Sequence, residues 1–172
     1  MENDELFYYL ALQSIVGIGP IKAKKLLNYF GGVRQLFQAK KNDLKRINGL
    51  GIDILKQLND ATIFAKAEKE MRFIEVNRIE ALTQNHKSYP AKLKHCQDAP
   101  LILFSKGNFD INNKKIISIV GTRMMTPYGS QFLKEFIKEI KMFDPIIVSG
   151  LAYGIDICAH KESLQNGICT IG

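Results

Sequence analysis

The sequence predicts an α/β protein in which a small all-helical domain precedes an incomplete parallel sheet. Residues 1–60 contain two copies of a glycine-bracketed turn that leads into an amphipathic helix. From residue 101 onward, short apolar runs rich in β-branched residues alternate with helical patterns, which is typical of a parallel sheet covered by helices. The last apolar run has barely begun at Gly172. We therefore expect a chain that is truncated within its sheet.

The composition is that of a globular protein, with 172 residues, 46% hydrophobic and 24% charged. This excludes disordered, collagen-like and coiled-coil classes. No apolar run approaches the ~18–20 residues that a membrane helix needs. The start Met-Glu-Asn-Asp-Glu lacks the basic residues of a signal peptide. Three cysteines without metal-ligand spacing favour a reduced, cytoplasmic protein with no metal site and no membrane contact.

The charge is modestly basic, at +7 from 24 basic and 17 acidic side chains. The excess is +3 in residues 1–70, +4 in residues 71–115 and zero in residues 116–172. A basic excess fits a polyanionic partner such as nucleic acid. Many other soluble proteins are equally basic, so the motifs must decide.

Two similar turns define the predicted helical domain. In residues 16–32 a pair of glycines brackets Ile18, Pro20 takes the first helical position, and amphipathic spacing follows. Residues 47–58 repeat the pattern. The bracketing glycines are Gly17 and Gly19 in the first copy and Gly49 and Gly51 in the second. Such a pair resembles a tandem helix-hairpin-helix, SAM-like domain spanning residues 1–60.

A connector and the sheet follow. Residues 61–85 predict a long helix and a lead-in strand, and residues 86–100 are loop-like. Strands are predicted at residues 101–107, 115–121, 145–150 and from 168, and helices at residues 127–142 and 156–166. Thr126 is expected to cap the first of these helices, ahead of Pro127. Its expected inward residues are Phe132, Phe136, Ile137 and Ile140.

Two turns each follow a strand and precede a helix: IVGTRMMTP at residues 119–127, the first glycine turn, and VSGLAYGID at residues 148–156, the second. Both are expected at the carboxyl edge of the sheet, where open α/β folds bind ligands. Free N–H groups at the two helix starts favour an anion there. Glycines permit close approach, hydroxyls add donors and a guanidinium matches phosphate oxygens. The candidate residues are Gly121, Thr122, Arg123, Ser149, Gly150 and Gly154.

Neither turn is a known nucleotide fingerprint. The chain has no G-x-G-x-x-G, no G-x-x-x-x-G-K-[ST], and no acid placed to hold a ribose. NAD and ATP are therefore disfavoured, and no cofactor is expected.

Taken together, these segments resemble the DNA-processing protein A (DprA/Smf) family. The matching pieces are Tyr89-Pro90 with Leu93, Pro100-Leu101 through Gly107, Val120-Gly121-Thr122-Arg123 with Tyr128-Gly129, Ser149-Gly150-x-Ala152-x-Gly154-Ile155-Asp156 with Ala159-His160, and Gly167. The resemblance covers residues 86–172. It implies a Rossmann-like core that is preceded, in many members, by a small helical domain.

The resemblance implies a protein that binds single-stranded DNA and delivers it to the RecA recombinase during natural transformation, as a mediator and not as an enzyme. It makes Arg123 the main phosphate ligand, the other candidates in the two turns donors, and Tyr153 a rim residue that stacks on a base. It also implies a homodimer for the full-length protein. Because this sequence stops at Gly172, the family's dimerisation and RecA-binding surface lies outside it.

Other interpretations stay open from sequence alone. Arg123 could pair with a carboxylate at the sheet edge. Asp156 and His160 could act as an acid–base pair, or as a helix cap and a packed histidine. Cys158 and Cys169 are expected to be small buried residues. The hairpin glycines, with Lys22 and Lys25, could make a secondary DNA contact or form packing turns in a protein-binding module.

Two other functions compete with DNA mediation. Related Rossmann-like folds include phosphoribohydrolases that cleave nucleotides, although their P-G-G-x-G-T turn is missing from these residues. The chain could also be a helix-hairpin-helix adaptor whose α/β part is inert.

Overall fold

The computed structural model describes residues 3–47, 50–107 and 110–172. The chain forms two compact units, residues 1–107 and residues 108–172. Within the described residues, no helix combines the length and the apolarity needed to cross a membrane.

The first unit begins with helices and ends with a small sheet. The helices are α1 (Asn3–Gln13), α2 (Pro20–Phe30), α3 (Val33–Gln38), α4 (Lys41–Lys45), α5 (Ile52–Gln57) and α6 (Ala61–Val76). They are followed by β1 (Glu80–Thr83), the single turn α7 (Ala91–Lys94) and β2 (Ile102–Ser105). The core is centred on Leu12, Val33 and Leu36, all fully buried. The predicted helical N-terminal region is confirmed.

Local chemistry sets the helix ends. Pro20 begins α2, and Gly31 ends it with φ at +80°, a left-handed conformation that glycine adopts without steric cost. Helix α6 begins at Asp60, whose side chain accepts a hydrogen bond from the Thr62 N–H at 2.9 Å. Residues 16–32 are called the first hairpin and residues 47–58 the second hairpin. Gln57 of the second hairpin accepts from the Val16 N–H at 2.9 Å and donates to the Val16 carbonyl at 3.3 Å, so the two hairpins are in contact.

The strand at residues 102–105 lies in a different sheet from the one predicted. It pairs antiparallel with β1, with Glu80 opposite Ser105 and Thr83 opposite Ile102. An apolar run indicates a strand but not its partner, and half-exposed Phe104 shows the solvated face that an antiparallel pair allows. The antiparallel pair thus belongs to the first compact unit, which extends to residue 107.

Tyr89 and Pro100, both in the segment that resembles the family, are joined by a hydrogen bond within this unit. Tyr89 is buried, and its hydroxyl donates to the Pro100 carbonyl at 2.8 Å. The Gln84 amide donates to the Ala99 and Pro100 carbonyls, both at 3.0 Å. Burial and the neighbouring Cys96 raise the pKa of Tyr89, so its phenol stays a neutral donor. The loop between β1 and β2 is thereby fixed.

The second unit is a parallel sheet covered by two helices. It consists of β3 (Ile116–Ser118), α8 (Pro127–Ile140) with a 3₁₀ turn at Lys141–Phe143, β4 (Ile146–Val148), α9 (Ile155–Gln165) and β5 (Thr170–Ile171). The strand order is β3-β4-β5, with both neighbouring pairs parallel. This confirms the predicted α/β class and its parallel sheet.

Helix α8 faces the core with most of the predicted stripe. Ile137 is buried, and Phe136 and Ile140 are partly buried against the same core. Phe132 is the exception, and Leu133 takes its place: Leu133 is buried, whereas Phe132 is 57% exposed. Phe132 and Leu133 both fit the helical spacing of this stripe, so periodicity could not choose between them. Phe132 is left in an outward stack between Tyr128 and Phe136, with ring centroids 6.5 and 6.2 Å apart.

Candidate nucleic-acid interface

The two glycine turns lie side by side at the carboxyl edge of the parallel sheet. Strands β3 and β4 are neighbours, and the Ile119 N–H donates to the Val148 carbonyl at 2.9 Å, just where the turns begin. The turns also contact each other directly, because the Ile155 N–H donates to the Thr122 carbonyl at 3.1 Å. The juxtaposition predicted from the strand order is confirmed.

Glycine is required in these turns by their mutual packing. At Gly154, φ is +84°, and a Cβ would overlap the Thr122 carbonyl and lie 2.6 Å from the Arg123 carbonyl oxygen. At Gly121 a Cβ would lie 2.6 Å from the Ile155 side chain, and at Gly150 it would lie 2.6 Å from Asp156 Oδ2. From the sequence, these glycines are expected to allow close approach of a phosphate. The structure adds a reason that exists without any ligand.

The second turn presents a run of unused backbone donors. Within the described residues, no acceptor takes the N–H groups of residues 150–154. The N–H groups of Thr122 and Arg123 are likewise free of acceptors in that part of the chain. Each turn leads into a helix whose N-terminus carries partial positive charge. Together they form a concentrated set of donors suited to an anion.

The two hydroxyls expected as donors are engaged inside the fold. Ser149 is buried, and its hydroxyl donates to the Ile119 carbonyl at 2.7 Å. Its backbone N–H donates to the Ile171 carbonyl at 3.0 Å. The Thr122 hydroxyl accepts from the Met124 N–H at 3.2 Å. The expected outward Ser149 donor is therefore wrong for this conformation: the side chain ties together the ends of β3 and β4.

Arg123 is exposed, and no carboxylate in the described part of the chain forms an ion pair with it. The alternative in which a sheet-edge acid neutralises this guanidinium finds no support there. Tyr153 is 80% exposed, as the rim position requires. Large apolar side chains surround the donors on the same turns, namely Val120, Met124 and Leu151, each 79% exposed or more. The free backbone donors are therefore flanked on both turns by exposed apolar side chains.

Asp156 and His160 lie four residues apart on α9, and the side chain of each forms a hydrogen bond with a backbone group. The buried Asp156 carboxylate accepts the Gly121 N–H at 3.3 Å. One His160 ring nitrogen lies 2.9 Å from the Gly150 carbonyl and the other lies 2.7 Å from the Thr170 hydroxyl. Sequence reasoning left these roles open because both contacts join segments distant in the chain. Cys158 is buried as predicted, whereas Cys169 is only partly buried.

The first hairpin has the geometry expected of its glycines. Gly17 has φ at +91°, and the extended Gly19 precedes α2. The Lys22 ammonium donates to the Gly17 carbonyl at 3.2 Å, and Lys25 is exposed. In the second hairpin Gly51 precedes α5, whereas Gly49 lies outside the described residues.

Comparison with known proteins identifies the family. The family model described as DNA recombination-mediator protein A matches residues 80–172. The chain belongs to this family. Its match begins at β1 and so includes the small antiparallel sheet, six residues ahead of the segment on which the sequence resemblance was based.

Individual relatives agree with this family assignment. Protein Smf of Synechocystis is 28% identical over 173 residues, covering 96% of this chain and 42% of that protein. DNA processing protein DprA of Bacillus subtilis is 42% identical over 95 residues, covering 55% of this chain and 32% of that protein. The X-ray structure of DprA from Streptococcus pneumoniae aligns with all of this chain and 57% of its own, with a TM-score of 0.68 and 27% identity. The chain thus spans less than half the length of these two curated relatives.

Proposed function

We propose that this chain binds single-stranded DNA without cleaving or modifying it, as part of a mediator that loads RecA during natural transformation. The observation that carries this proposal is the meeting of the two glycine turns. The phosphate cradle is defined here as the free N–H groups of residues 150–154, those of Thr122 and Arg123, and the exposed Arg123 guanidinium.

The surroundings of the cradle favour an unpaired strand as the ligand. Backbone donors and a guanidinium recognise phosphate without regard to base. The exposed apolar rim, above all Tyr153, offers contact to base faces that only a single strand leaves open. A duplex would present its phosphates but keep those faces stacked.

The decisive experiment is a titration of fluorescent oligothymidine, followed by anisotropy at several salt concentrations. Arg123→Ala should weaken binding at least tenfold and lower the salt slope by about 0.7, the value for one phosphate contact on a single strand. Lys138→Ala removes an exposed charge in the last turn of α8 and serves as the control. Equal binding by the Arg123→Ala variant and the wild type would reject the assignment of the site.

The enzymatic alternative makes a separate prediction. A phosphoribohydrolase needs free acid–base groups, whereas here Asp156 and His160 contact backbone amide and carbonyl groups. Incubation with nucleoside monophosphates, followed by chromatography for free base, separates the two. Release of base above the blank rate would favour the enzyme.

RecA loading and homodimer formation are proposed for the whole protein of which this chain forms part. Support comes from the family assignment, since the matched family consists of recombination mediators. The test is RecA filament assembly on single-stranded DNA coated with a single-strand-binding protein. A full-length protein carrying Arg123→Ala should stimulate assembly less than the wild type.

A further inference from the structure

His160 links three segments beneath the second glycine turn. It projects from α9, with Nε2 at 2.9 Å from the Gly150 carbonyl and Nδ1 at 2.7 Å from the hydroxyl of Thr170 on β5. The Thr170 hydroxyl also lies 3.1 Å from the Ile147 carbonyl of β4. The ring therefore connects the turn after β4 to the strand beside it.

The chemistry of the Gly150 carbonyl fixes the role of His160 Nε2. A carbonyl oxygen can only accept, so His160 Nε2 must carry a hydrogen. Nδ1 forms a second hydrogen bond with the Thr170 hydroxyl at 2.7 Å, and that hydroxyl also donates to the Ile147 carbonyl at 3.1 Å. Both ring nitrogens are thus satisfied, and the ring cannot rotate without breaking two hydrogen bonds.

Holding the Gly150 carbonyl has a consequence on the other side of the same peptide. The Gly150–Leu151 peptide is trans, so its carbonyl and the Leu151 N–H point in opposite directions. Because the carbonyl is directed at His160, the Leu151 N–H is directed away from α9. That N–H is among the donors that no described residue accepts.

We propose that His160 is a positioning residue of the phosphate cradle, which acts by orienting the Leu151 N–H towards a bound phosphate oxygen. The inference deepens the proposed function and rests on it. Preorganised backbone donors are effective because their orientation is set before the anion arrives. Without this bond the glycine-containing turn could rotate the peptide and turn its carbonyl oxygen towards the anion.

The test compares three variants of the chain by oligothymidine titration. His160→Phe keeps a planar ring but removes both polar contacts, and it should weaken binding about tenfold. His160→Gln can place an amide N–H near the Nε2 position, and it should recover most of that loss. Thermal unfolding of each variant measures stability separately. Thr170→Val removes the hydroxyl contacts to Nδ1 and to the Ile147 carbonyl but keeps the Nε2 contact to Gly150, so its affinity should fall between those of wild type and His160→Phe.

A spectroscopic measurement reports on the peptide itself. In ¹⁵N-labelled protein, titration with inorganic phosphate should shift the Leu151 amide resonance strongly in wild type and in His160→Gln, but weakly in His160→Phe. The proposal is overturned if His160→Phe binds oligothymidine like wild type, or if His160→Gln is as weak as His160→Phe at equal stability. Arg123→Ala is measured alongside: if it too binds like wild type, the cradle itself is wrong, whereas an effect of Arg123 without one of His160 rejects only the positioning role.

Discussion

At the scale of single residues, the glycines of the proposed site have a packing role of their own. Gly154 has positive φ and lies against the carbonyl groups of Thr122 and Arg123, so it allows the turns to meet. Gly167, which follows α9, also has positive φ, but an added Cβ there would meet nothing within 4 Å. A side chain at Gly167 would therefore cause backbone strain alone, whereas a side chain at Gly154 would cause both strain and steric overlap.

Replacing these glycines by alanine should give graded losses of stability. Gly167→Ala should cost about 1–2 kcal/mol, the cost of a left-handed residue with a side chain. Gly154→Ala should cost more, because overlap with two carbonyls is added, and it should also reduce oligothymidine affinity. Gly19→Ala, at φ −90° with open space around it, serves as a tolerated control. Urea unfolding measures all three, and equal losses for Gly154→Ala and Gly19→Ala would contradict the packing argument.

At the scale of elements, end signals and periodicity predicted most helices but not the strand pairing. Thr126 and Pro127 predicted the start of α8, and the Thr126 hydroxyl does accept the Gly129 N–H at 3.1 Å. Periodicity did not predict which of two adjacent residues, Phe132 or Leu133, faces the core, because both fit the helical spacing. It also did not predict which strand β2 pairs with. Such choices depend on contacts between distant segments, which a local pattern does not contain.

The cap of α8 is expected to stabilise the second unit. Thr126→Ala should lower the free energy of unfolding by about 0.5–2 kcal/mol, because one N-terminal amide loses its acceptor. Thr126→Ser retains the hydroxyl and should lose much less. Urea denaturation with a fixed m-value gives the comparison, and equal losses for the two variants would show that the methyl group, and not the cap, matters.

The cap of α6 should instead make stability depend on pH. The hydrogen bonds from Thr62 hold the pKa of Asp60 below its usual value. Because the folded pKa is lowered, this contribution is present above the unfolded value of about 3.9 and is lost as pH falls through the folded value. Asp60→Asn can still cap the helix but does not titrate. Below about pH 4, wild type should therefore lose stability relative to Asp60→Asn. A difference in the free energy of unfolding that stays constant from pH 6 to pH 2 would contradict this.

At the scale of the whole molecule, the proposed binding surface and the net charge lie in different units. Residues 1–107 carry 17 basic and 11 acidic side chains, and residues 108–172 carry 7 and 6. The motifs of the second unit predicted that its two glycine turns lie side by side, because the order of strands and turns can be inferred from the sequence. The contacts of Ser149 and His160 could not be predicted from the sequence. Their hydrogen-bond partners, Ile119, Ile171 and Thr170, lie in other segments of the fold. We assign the basic excess of the first unit a separate and less specific role, the attraction of a polyanion.

We expect the first hairpin to supply a secondary DNA contact that strengthens binding without base preference. The residues that would make it are Gly17, Gly19, Lys22 and Lys25. Gly49 and Gly51 are the corresponding glycines of the second hairpin. The double variant Lys22→Gln and Lys25→Gln should lower the salt slope of oligothymidine binding by about 0.7 for each phosphate that these two lysines neutralise. Lys66→Gln with Lys69→Gln changes the net charge equally on exposed positions of α6 and is the matched control. If both pairs lower the slope alike, the helical unit acts only through its overall charge and the hairpin does not bind the strand directly. If only the hairpin pair acts, and its effect adds to that of Arg123→Ala, two separate surfaces hold the strand.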